Sequence, residues 1–314
     1  MTRLSEHRSP TCSQPLSITA VILTFNEALH IGRCVSRIAP LVQRVLVVDS
    51  FSTDDTVSIA QAHGAEVVQR PWVTYADQFQ WALDQMDIET DWILRLDADE
   101  YLEDALVEEI RSVLPGQPAA VTGLRLKRKV IFRGRWIRFG GLYPTILMRL
   151  WRPGTGRIEQ RWMDEHMVLT QGHAVTLDHD MVDENLNDIS WWTDKHNGYA
   201  TRQMLDFLQL EHDLRPGDAT LETQRDQAGW KRVIKNRVFG RMPLYLRGTV
   251  YFLFRFFLLL GFLDGRQGFL FHFLQGWWNW MLVDAKIDEA RRFIAANGVD
   301  AFKQHIRQRH GYSL

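Results

Sequence analysis

The sequence predicts an α/β fold, in which a mainly parallel central sheet is flanked by helices and followed by a helical, membrane-associating C-terminal extension. Short β-branched segments alternate with helical segments over the first hundred or so residues. Three of the predicted strands end on polar or acidic residues, and the chain beyond residue 242 is rich in Phe, Leu and Trp. Regular alternation of strands and helices is typical of a parallel sheet that helices cover on both faces.

Four strands and four helices are predicted in the first part of the chain. The β-branched runs indicate buried strands at residues 18–24, 44–50, 65–70 and 92–96. Helical periodicity, with a capping segment at residues 52–55 and a stop at Gly64, predicts helices at about 27–38, 54–63, 75–86 and 102–114. Residues 119–177 indicate further strands between Gly and Pro turns, and residues 191–210 and 221–239 indicate helices.

Composition suits a globular protein of this kind. The chain has 314 residues, of which 46% are hydrophobic and 24% charged, and its formal net charge of −1 gives no indication of a nucleic-acid partner. Cys12 and Cys34 are the only cysteines, and Cys12 lies in a polar segment, which favours a reducing compartment. We expect a disordered lead-in at 1–16 with no signal peptide, the α/β domain at 17–185 and a helical region at 186–314.

Polar side chains follow three of the predicted strands. Thr24, Asn26 and Glu27 follow the first strand, Asp49 ends the second, and the Asp-Ala-Asp-Glu segment at 97–100 follows the fourth. Ligands of open parallel sheets bind beyond the carboxyl ends of the strands. The sequence therefore predicts that these groups converge on one crevice.

Asp97 and Asp99 form the predicted metal site. Two carboxylates directly after a buried strand suit Mg²⁺ or Mn²⁺, which prefer oxygen ligands, retain waters and bridge substrate phosphates. Such a cation would neutralise charge on a diphosphate leaving group. The alternative is a solvated acidic turn before the next helix. His179 could complete a metal or diphosphate site, or it could be structural.

A nucleotide site is predicted beside the metal. The Asp49 carboxylate can accept a hydrogen bond from a nucleobase N–H, or it can simply cap a turn. Asn26 and Glu27 can bond to base or ribose, or they can begin the first helix. No G-x-G-x-x-G follows the first strand and no P-loop pattern occurs, so nothing supports a dinucleotide or P-loop site. Three further residues complete the predicted nucleotide-binding set: Thr24, Gln78 and Asp97.

Two long stretches lack acidic residues. Residues 111–158 and 227–263 contain no Asp or Glu but many Lys and Arg, which indicates an anionic ligand or an anionic surface. The alternative is chance and solvated faces. Within the first stretch, Arg149 and Arg152 are candidates for contact with diphosphate or an anionic acceptor, because Arg suits bidentate phosphate contacts.

The segments TFNEALHIGRCV, VLVVDSFSTDDTVSIAQAHGAEV and WILRLDADEYL resemble glycosyltransferase family 2. They are similar in particular to the bacterial branch that elongates lipopolysaccharide core or exopolysaccharide, and the likeness continues through GGLYPTILMRLWRPG and GFLDGRQGF. The resemblance implies a GT-A fold and an inverting transfer from a nucleotide-sugar. It also implies that Asp49 contacts the base, that Asp97 lies near ribose and metal, and that Asp99 is the metal ligand.

The resemblance also implies a carboxylate general base. Inversion in one displacement requires a group that takes the proton of the attacking acceptor hydroxyl. The segment RWMDEHMVL occupies the family's base position and carries Asp164 and Glu165. It departs from the commonest Glu-Asp and His-Glu pairs, and alignment to the His-Glu form favours Glu165 over Asp164. The alternative is that both are surface acids at a turn.

The apolar tail predicts membrane contact. Residues 242–263 have the length of a spanning helix but contain Arg247 and Arg255, which lie about 80° apart around a helix. Charge at the bilayer centre is unfavourable, so we predict interfacial helices at about 242–285 with both arginines toward anionic headgroups. Trp277, Trp278 and Trp280 fit an interfacial belt. The alternatives are a buried helical hairpin on the α/β domain and a dimer interface.

The predicted function is transfer of a sugar from a nucleotide-sugar, with UDP as the expected nucleotide, to a lipid-linked or lipopolysaccharide or exopolysaccharide acceptor. The reaction would use Mg²⁺ or Mn²⁺ on the cytoplasmic face of the bacterial inner membrane, with the protein peripheral or monotopic. One alternative is a catalytically silent, membrane-associated binding protein of the same fold. Another is a sugar-nucleotide nucleotidyltransferase, whose Gly-rich basic loop is missing from TFNEALHIG.

Overall fold

The computed structural model describes residues 14–159, 165–212, 214 and 242–312. The predicted helix at 221–239 and most of the predicted lead-in lie outside the described residues. The strands, in chain order, are β1 (Leu16–Thr24), β2 (Val42–Asp49), β3 (Glu66–Gln69), β4 (Trp92–Asp97), β5 (Glu100–Leu102), β6 (Val121–Phe132), β7 (Arg135–Ile137), β8 (Thr145–Trp151), β9 (Gly156–Ile158), β10 (Met167–Leu169) and β11 (His173–Glu184).

Four helices and one short 3₁₀ turn lie between the first strands. They are α1 (Ile31–Ile38), α2 (Thr56–Ala62), α3 (Tyr75–Gln85), α4 (Asp104–Val113) and the 3₁₀ turn Leu114–Gly116. The first helix begins later than predicted, because the residues that follow β1 form a loop instead. That loop contributes to the crevice described below.

Within the described chain, one mixed sheet of nine strands has the order β3-β2-β1-β4-β8-β6-β11-β5, with β7 paired to β6. The first four strands in this order are parallel to one another. β8 then runs antiparallel to both β4 and β6, β11 is parallel to β6, and β5 is antiparallel to β11. The prediction of a parallel sheet therefore holds for β3, β2, β1 and β4, whereas the remaining strands of the sheet pair in mixed directions. β9 and β10 form a separate antiparallel pair.

Both faces of the sheet are buried, which explains the continuous apolar run of β1. Ile18 and Ile22 pack on one face in a cluster that includes residues of α1 and α4. Val21 and Leu23 point to the other face, where they pack in a cluster with Phe79 of α3. Side chains alternate between the faces of a strand, so a strand covered on both faces needs apolar residues at every position.

The C-terminal region is helical. Its elements are α5 (Ile189–His212), α6 (Leu246–Leu253) with a π-helical continuation (Phe254–Leu258), a 3₁₀ turn (Gly261–Asp264), α7 (Gly265–Phe271), a second π-helical segment (His272–Trp278), α8 (Asn279–Asn297) and α9 (Val299–His310). Leu205 and Leu208 of α5, Val283 and Ile287 of α8 and Phe302 of α9 share one buried cluster. These helices therefore have a core separate from the core of the sheet.

Among the described helices, none alone has the length and hydropathy needed to cross a membrane. One pair passes that test jointly, Leu246–Leu258 with Gly261–Asn297, and the two members are bent by 72° at the break between them. The break falls at Leu259 and Leu260, and Leu260 has a left-handed backbone with φ of 60°.

The predicted orientation of Arg247 and Arg255 toward lipid headgroups is wrong. Arg247 is buried and its Nε lies 2.6 Å from an oxygen of the buried Asp284. Arg255 is also buried and donates through Nε to the carbonyl oxygen of Gly140 at 2.8 Å. Trp280 is only 8% exposed and belongs to the helical core, so it does not form an interfacial belt. Each arginine faces inward because a buried acceptor satisfies it there.

Candidate active site

The carboxyl ends of β1, β2 and β4 lie side by side. In the strand register Thr24 pairs with Asp49, and Leu23 pairs with Asp97. The polar residues after the three strands therefore meet at one edge of the sheet, as the sequence predicts. The loops after β1 and β2 and the segment after β11 form the walls of this crevice.

Asp49 is fully buried and its carboxylate serves the protein itself. It accepts hydrogen bonds from Thr24 Oγ1 at 2.8 Å, from the Ser52 amide at 2.8 Å and hydroxyl at 2.5 Å, and from Gln69 Nε2 at 3.0 Å. A carboxylate can accept about four hydrogen bonds, so these four donors fill its hydrogen-bonding capacity. Asp49 thus shapes the loop after β2, and a nucleobase would have to displace one of these donors to reach it.

Asn26 and Glu27 connect the loop after β1 to its neighbours. Asn26 has a left-handed backbone with φ of 56°, and its side-chain oxygen accepts from the Thr53 amide at 2.8 Å. The Glu27 carboxylate lies 2.6 Å from Nδ1 of the buried His30. His30 Nε2 accepts from the Leu186 amide at 2.9 Å, which assigns the proton of a neutral ring to Nδ1. The β1 loop is thereby tied to the segment after β11.

The predicted contact between Gln78 and the nucleotide is wrong in this structure. Gln78 is fully buried, and its amide nitrogen donates to Ser50 Oγ at 3.3 Å. It supports the loop after β2 from behind and has no exposed surface to offer a ligand.

Two exposed aromatic rings border the crevice and were missed by the sequence interpretation. Phe25 follows β1 and is 57% exposed, while Phe51 follows β2 and is 51% exposed, with φ of 60°. An exposed ring has a flat apolar face against which a planar ligand can stack. The available signal was a large apolar residue inside each polar loop, in TFNE and DSFS.

Asp97 is held by several polar groups. It accepts from the Tyr75 hydroxyl at 2.6 Å and lies 3.5 Å from Nη2 of Arg149. Burial alone would raise the pKa of this carboxyl, but the charges of Arg149 and Arg95 and the Tyr75 hydroxyl outweigh burial and lower its pKa to about 2. Asp97 is therefore a carboxylate at neutral pH.

Arg149 and Glu100 form an ion pair beneath Asp97. Arg149 Nη2 lies 2.5 Å from Glu100 Oε1, and both side chains are buried. Burial, followed by the neighbouring Asp97 and Asp183 carboxylates, raises the pKa of Glu100, and Arg149 opposes that rise. Arg149 is consequently an internal counter-charge for these acids. The predicted contact of Arg149 with diphosphate is wrong in this structure, because the side chain is buried and faces Asp97 and Glu100.

Asp99 is half-buried at the mouth of the crevice. Its Oδ2 accepts from Asn185 Nδ2 at 3.0 Å, and its carbonyl oxygen accepts from Arg33 Nη2 at 3.3 Å. Nearby, burial first and then the charges of Asp99 and Asp97 raise the pKa of Asp183 to about 6, against the opposing effect of Arg128. The acidic surroundings of Asp99 favour a cation.

The carboxylates of Asp97 and Asp99 fit a hard cation that retains waters and substrate oxygens. Mg²⁺ in such sites often uses one or two carboxylates together with phosphates and water. Among the residues that the structure describes, no group of three or more His, Cys, Asp or Glu side chains is placed to hold a metal. The two aspartates would hold such a cation together with water and substrate oxygens.

The prediction that His179 completes the metal site is wrong. Its ring Nδ1 lies 2.9 Å from Glu109 of α4, and the side chain is 52% exposed. The Glu184 amide donates to the Asp99 carbonyl oxygen. His179 lies five residues before Glu184 on β11, and five residues of a strand span roughly 16 Å. Glu109 provides its partner instead.

The prediction that Arg152 contacts diphosphate is also wrong. Its guanidinium donates to the carbonyl oxygens of Val121 at 3.2 Å and Gln117 at 3.3 Å, and it stacks 4.4 Å from the Trp92 ring. Trp92 opens β4, whereas Asp97 closes it. Because β8 is antiparallel to β4, the residue after β8 lies at the opposite edge of the sheet from the crevice.

The predicted base segment is linked to Asp97 through two side chains. Asp164 lies outside the described residues, while Glu165 is half-buried and its carbonyl oxygen accepts from Arg95 Nη1 at 3.2 Å. Arg95 Nε in turn donates to the Tyr75 hydroxyl at 3.0 Å. The segment before β10 and the carboxylate after β4 are thereby joined by one hydrogen-bonded chain.

A lysine that the sequence interpretation missed lies on α5. Lys195 Nζ is 4.4 Å from the centroid of the Trp191 ring. Burial alone would lower the pKa of this ammonium, but the nearby Tyr199, Asp99 and Glu27 outweigh burial and raise its pKa. Lys195 is therefore a cation within electrostatic reach of Asp99. The sequence offers no local signal for it, because Asp99 and Glu27 are distant from it in the chain.

The crevice at the ends of parallel strands and its paired aspartates agree with a sequence comparison. A family model described as Glycosyl transferase family 2 matches residues 19–184, which is more than half of the chain. The chain belongs to glycosyl transferase family 2. The mixed sheet of this family 2 protein, with helices on its faces, is GT-A-like.

Curated relatives match parts of this family 2 protein. An uncharacterized glycosyltransferase of Rickettsia felis is 45% identical over 31% of this chain and 33% of its own length. The lipopolysaccharide core biosynthesis glycosyltransferase LpsC of Rhizobium meliloti is 30% identical over 51% of this chain and 59% of its own length. The matched region thus spans about a third of the first relative and somewhat over half of the second.

One solved structure is also similar to part of the chain. Glucosyl-3-phosphoglycerate synthase from Mycobacterium tuberculosis, in complex with Mg²⁺ and UDP, is 26% identical to this chain. The superposition covers 37% of this chain and 44% of the synthase, with a TM-score of 0.29.

Proposed function

We propose that this glycosyltransferase moves a sugar from a UDP-sugar to a lipid-linked saccharide or lipopolysaccharide-type acceptor, with inversion at the anomeric carbon. The observation that carries the proposal is the pair Asp97 and Asp99 at the end of β4, next to the ends of β1 and β2. Family membership argues against the nucleotidyltransferase alternative.

Asp97 and Asp99 would hold Mg²⁺ or Mn²⁺ together with the diphosphate of the donor. The bound ion would act as a Lewis acid that neutralises the charge developing on the leaving diphosphate. Lys195 supplies a second positive charge from α5, close enough to Asp99 for the two to interact electrostatically. Arg149 keeps Asp97 ionised from below, so that the acid is ready to bind a cation at neutral pH.

The nucleoside would lie over the loops after β1 and β2. The exposed rings of Phe25 and Phe51 offer surfaces for stacking the base, while Asn26 and Asp49 hold the two loops in shape. Thr24 contributes through its hydrogen bond to Asp49. Shape and stacking in this arrangement favour a planar pyrimidine or purine, and UDP is our choice of donor nucleotide.

Glu165 is our choice of general base. A single displacement needs a carboxylate that takes the proton of the acceptor hydroxyl as the oxygen attacks. Glu165 stands next to the hydrogen-bonded chain that leads through Arg95 to Tyr75 and Asp97. This link would hold the base segment at a set distance from the donor site.

The acceptor and the location are proposed from the C-terminal region and one relative. LpsC is named for lipopolysaccharide core biosynthesis, which suggests a lipid-borne acceptor for this chain as well. Many large apolar side chains between residues 245 and 269 are exposed. We place the enzyme at the cytoplasmic face of a bacterial inner membrane, as a peripheral or monotopic protein.

Calorimetric titration with UDP, GDP and dTDP, each with and without Mn²⁺, tests the donor site. We expect UDP to bind, and to bind more tightly with Mn²⁺. Asp99→Asn should remove the effect of Mn²⁺, whereas His179→Ala should keep it, because His179 lies along β11 beside Glu109. Failure of all three nucleotides to bind, with or without Mn²⁺, would contradict the proposal.

A further inference from the structure

A group of exposed apolar side chains lies where the helix pair of the tail bends. We call residues 257–263 the apolar tip. Within it Leu258 is 73% exposed, and the other exposed large side chains are Phe257, Leu259, Leu260, Phe262 and Leu263. The tip contains no polar side chain, since its sequence is FLLLGFL. Large contiguous apolar patches on protein surfaces mark sites of contact with a partner or a membrane.

Exposed arginines lie next to the apolar tip. The turn between β6 and β7, the start of β7 and the residue after it carry Arg133, Arg135 and Arg138, which we call the arginine hairpin. All three are exposed, and within the described residues none forms an ion pair with a carboxylate. By contrast, Lys129 on β6 is paired with Glu103 at 2.7 Å.

Three hydrogen bonds join the residues just after the arginine hairpin to the apolar tip and its neighbours. The Gly140 amide donates to the Leu259 carbonyl oxygen at 2.8 Å, and the Phe139 amide donates to Asp264 Oδ2 at 2.9 Å. Arg255 Nε donates to the Gly140 carbonyl oxygen at 2.8 Å. The two features therefore form one surface that is rigidly connected to the sheet through β7.

Gly140, which follows the arginine hairpin, and Gly261 of the apolar tip both lie close to the His272 ring. A Cβ at Gly140, whose φ is 70°, would lie 2.2 Å from the buried His272 ring. A Cβ at Gly261 would lie 2.7 Å from the same ring. Glycine at both positions lets the two backbones close on His272, so the tip has a defined direction relative to the sheet.

We propose that the apolar tip and the arginine hairpin together form a binding surface for an anionic phospholipid bilayer. The tip enters the leaflet below the headgroups, and Arg133, Arg135 and Arg138 contact the anionic headgroups beside it. Apolar insertion combined with adjacent cations is the pattern of interfacial membrane binding. This inference rests on the proposed function in one respect, namely that the enzyme works at a membrane.

A bilayer fits this surface better than a second copy of the chain. Two copies that met symmetrically through their tips would bring two arginine hairpins toward each other, and like charges repel. An anionic bilayer instead presents negative charge where the arginines lie and hydrocarbon where the tip lies.

Vesicle flotation of the full chain tests the surface. Vesicles of phosphatidylcholine alone are compared with an equimolar mixture of phosphatidylcholine and phosphatidylglycerol. We expect tighter binding to the anionic vesicles, weakened by salt. Leu258→Asp should lower binding to both vesicle types at least about tenfold. The matched control is Val175→Asp, which places the same charge at an exposed apolar position of β11 and should bind normally.

The arginine hairpin is tested separately. Arg133→Glu combined with Arg135→Glu should lose about tenfold or more of the affinity for anionic vesicles and so lose the preference for them. Arg307→Glu combined with Arg309→Glu makes the same change of net charge on exposed positions of α9 and should retain the preference.

Three results would overturn the inference. They are normal vesicle binding by Leu258→Asp, a retained anionic preference in the hairpin variant, and a lipid-free dimer that Leu258→Asp dissociates without changing vesicle binding. UDP titration of each variant separates the two proposals. Vesicle binding by a wild-type protein that binds no nucleotide would support the surface and count against the proposed function.

Discussion

The Tyr75 hydroxyl donates a hydrogen bond to the Asp97 carboxylate at 2.6 Å and accepts one from Arg95 Nε at 3.0 Å. Tyr75 opens α3, whereas Asp97 closes β4, so the contact joins a helix to the site edge of the sheet. The hydroxyl orients one oxygen of Asp97 and leaves the other toward Arg149. Partners of this kind control how well a carboxylate serves as a metal ligand.

Tyr75→Phe should therefore weaken the apparent affinity for Mn²⁺ about ten- to hundredfold while the protein stays folded. The measurement is transfer activity as a function of Mn²⁺ concentration. Tyr143→Phe is the matched control, because the Tyr143 hydroxyl donates to Asp180 at 2.9 Å, away from the paired aspartates. Equal Mn²⁺ curves for the two variants would remove the role assigned to Tyr75.

Lys195→Ala should raise the dissociation constant of UDP about tenfold, because the variant lacks the cation that we propose to face the diphosphate. Calorimetric titration measures the change. Arg152→Ala removes a positive charge at the opposite edge of the sheet and should leave UDP binding unchanged, although it gives up the stacking on Trp92. A normal UDP affinity in Lys195→Ala would place the diphosphate elsewhere.

Acid should destabilise the wild-type protein through Asp97. The folded-state pKa of Asp97, about 2, lies below the ordinary value of 3.8, so its contribution to stability is present above pH 3.8 and is lost as the pH falls toward 2. Urea unfolding across this range should show a steeper loss of stability for wild type than for Asp97→Asn. Parallel curves for the two proteins would show that the ion pair with Arg149 does not stabilise the fold.

Asp284→Ala should lower the free energy of unfolding by about 3–5 kcal/mol, because it breaks a buried ion pair by removing the carboxylate beside Arg247. Chemical denaturation measures the loss. The control is Asp288→Ala, which removes the exposed partner of Arg292 and should cost less than about 1 kcal/mol. An equally small loss in Asp284→Ala would mean that the buried pair with Arg247 does not stabilise the fold.

The GT-A-like fold was predictable, and the polar strand ends were predictable with it. Residues 18–24 and 92–96 have the apolar pattern of strands buried on both faces, and the structure places β1 and β4 over these segments. The antiparallel β8 was not predictable in the same way. It inserts between β4 and β6, and nothing local in its sequence states which strands it will join.

Individual site residues were harder to predict than the site. Asp49 and Gln78 lie where the sequence places the nucleotide, yet both are buried and bond to the protein. His179 likewise follows a predicted strand, but its ring lies beside Glu109 and not at the metal site. In each case protein partners, most of them distant in the chain, take the hydrogen-bonding capacity that the ligand would have used.

The sequence by itself determined the alternation of strands and helices and the edge of the sheet at which the polar residues meet. Both follow from the apolar periodicity of neighbouring residues and from the helix that connects each strand to the next parallel strand. Only the tertiary structure decided which cations face a ligand. Arg149 and Arg247 turn inward because Glu100, 49 residues away, and Asp284, 37 residues away, are buried beside them. A long side chain can reach either water or a buried acid, and the packing of distant segments selects between them.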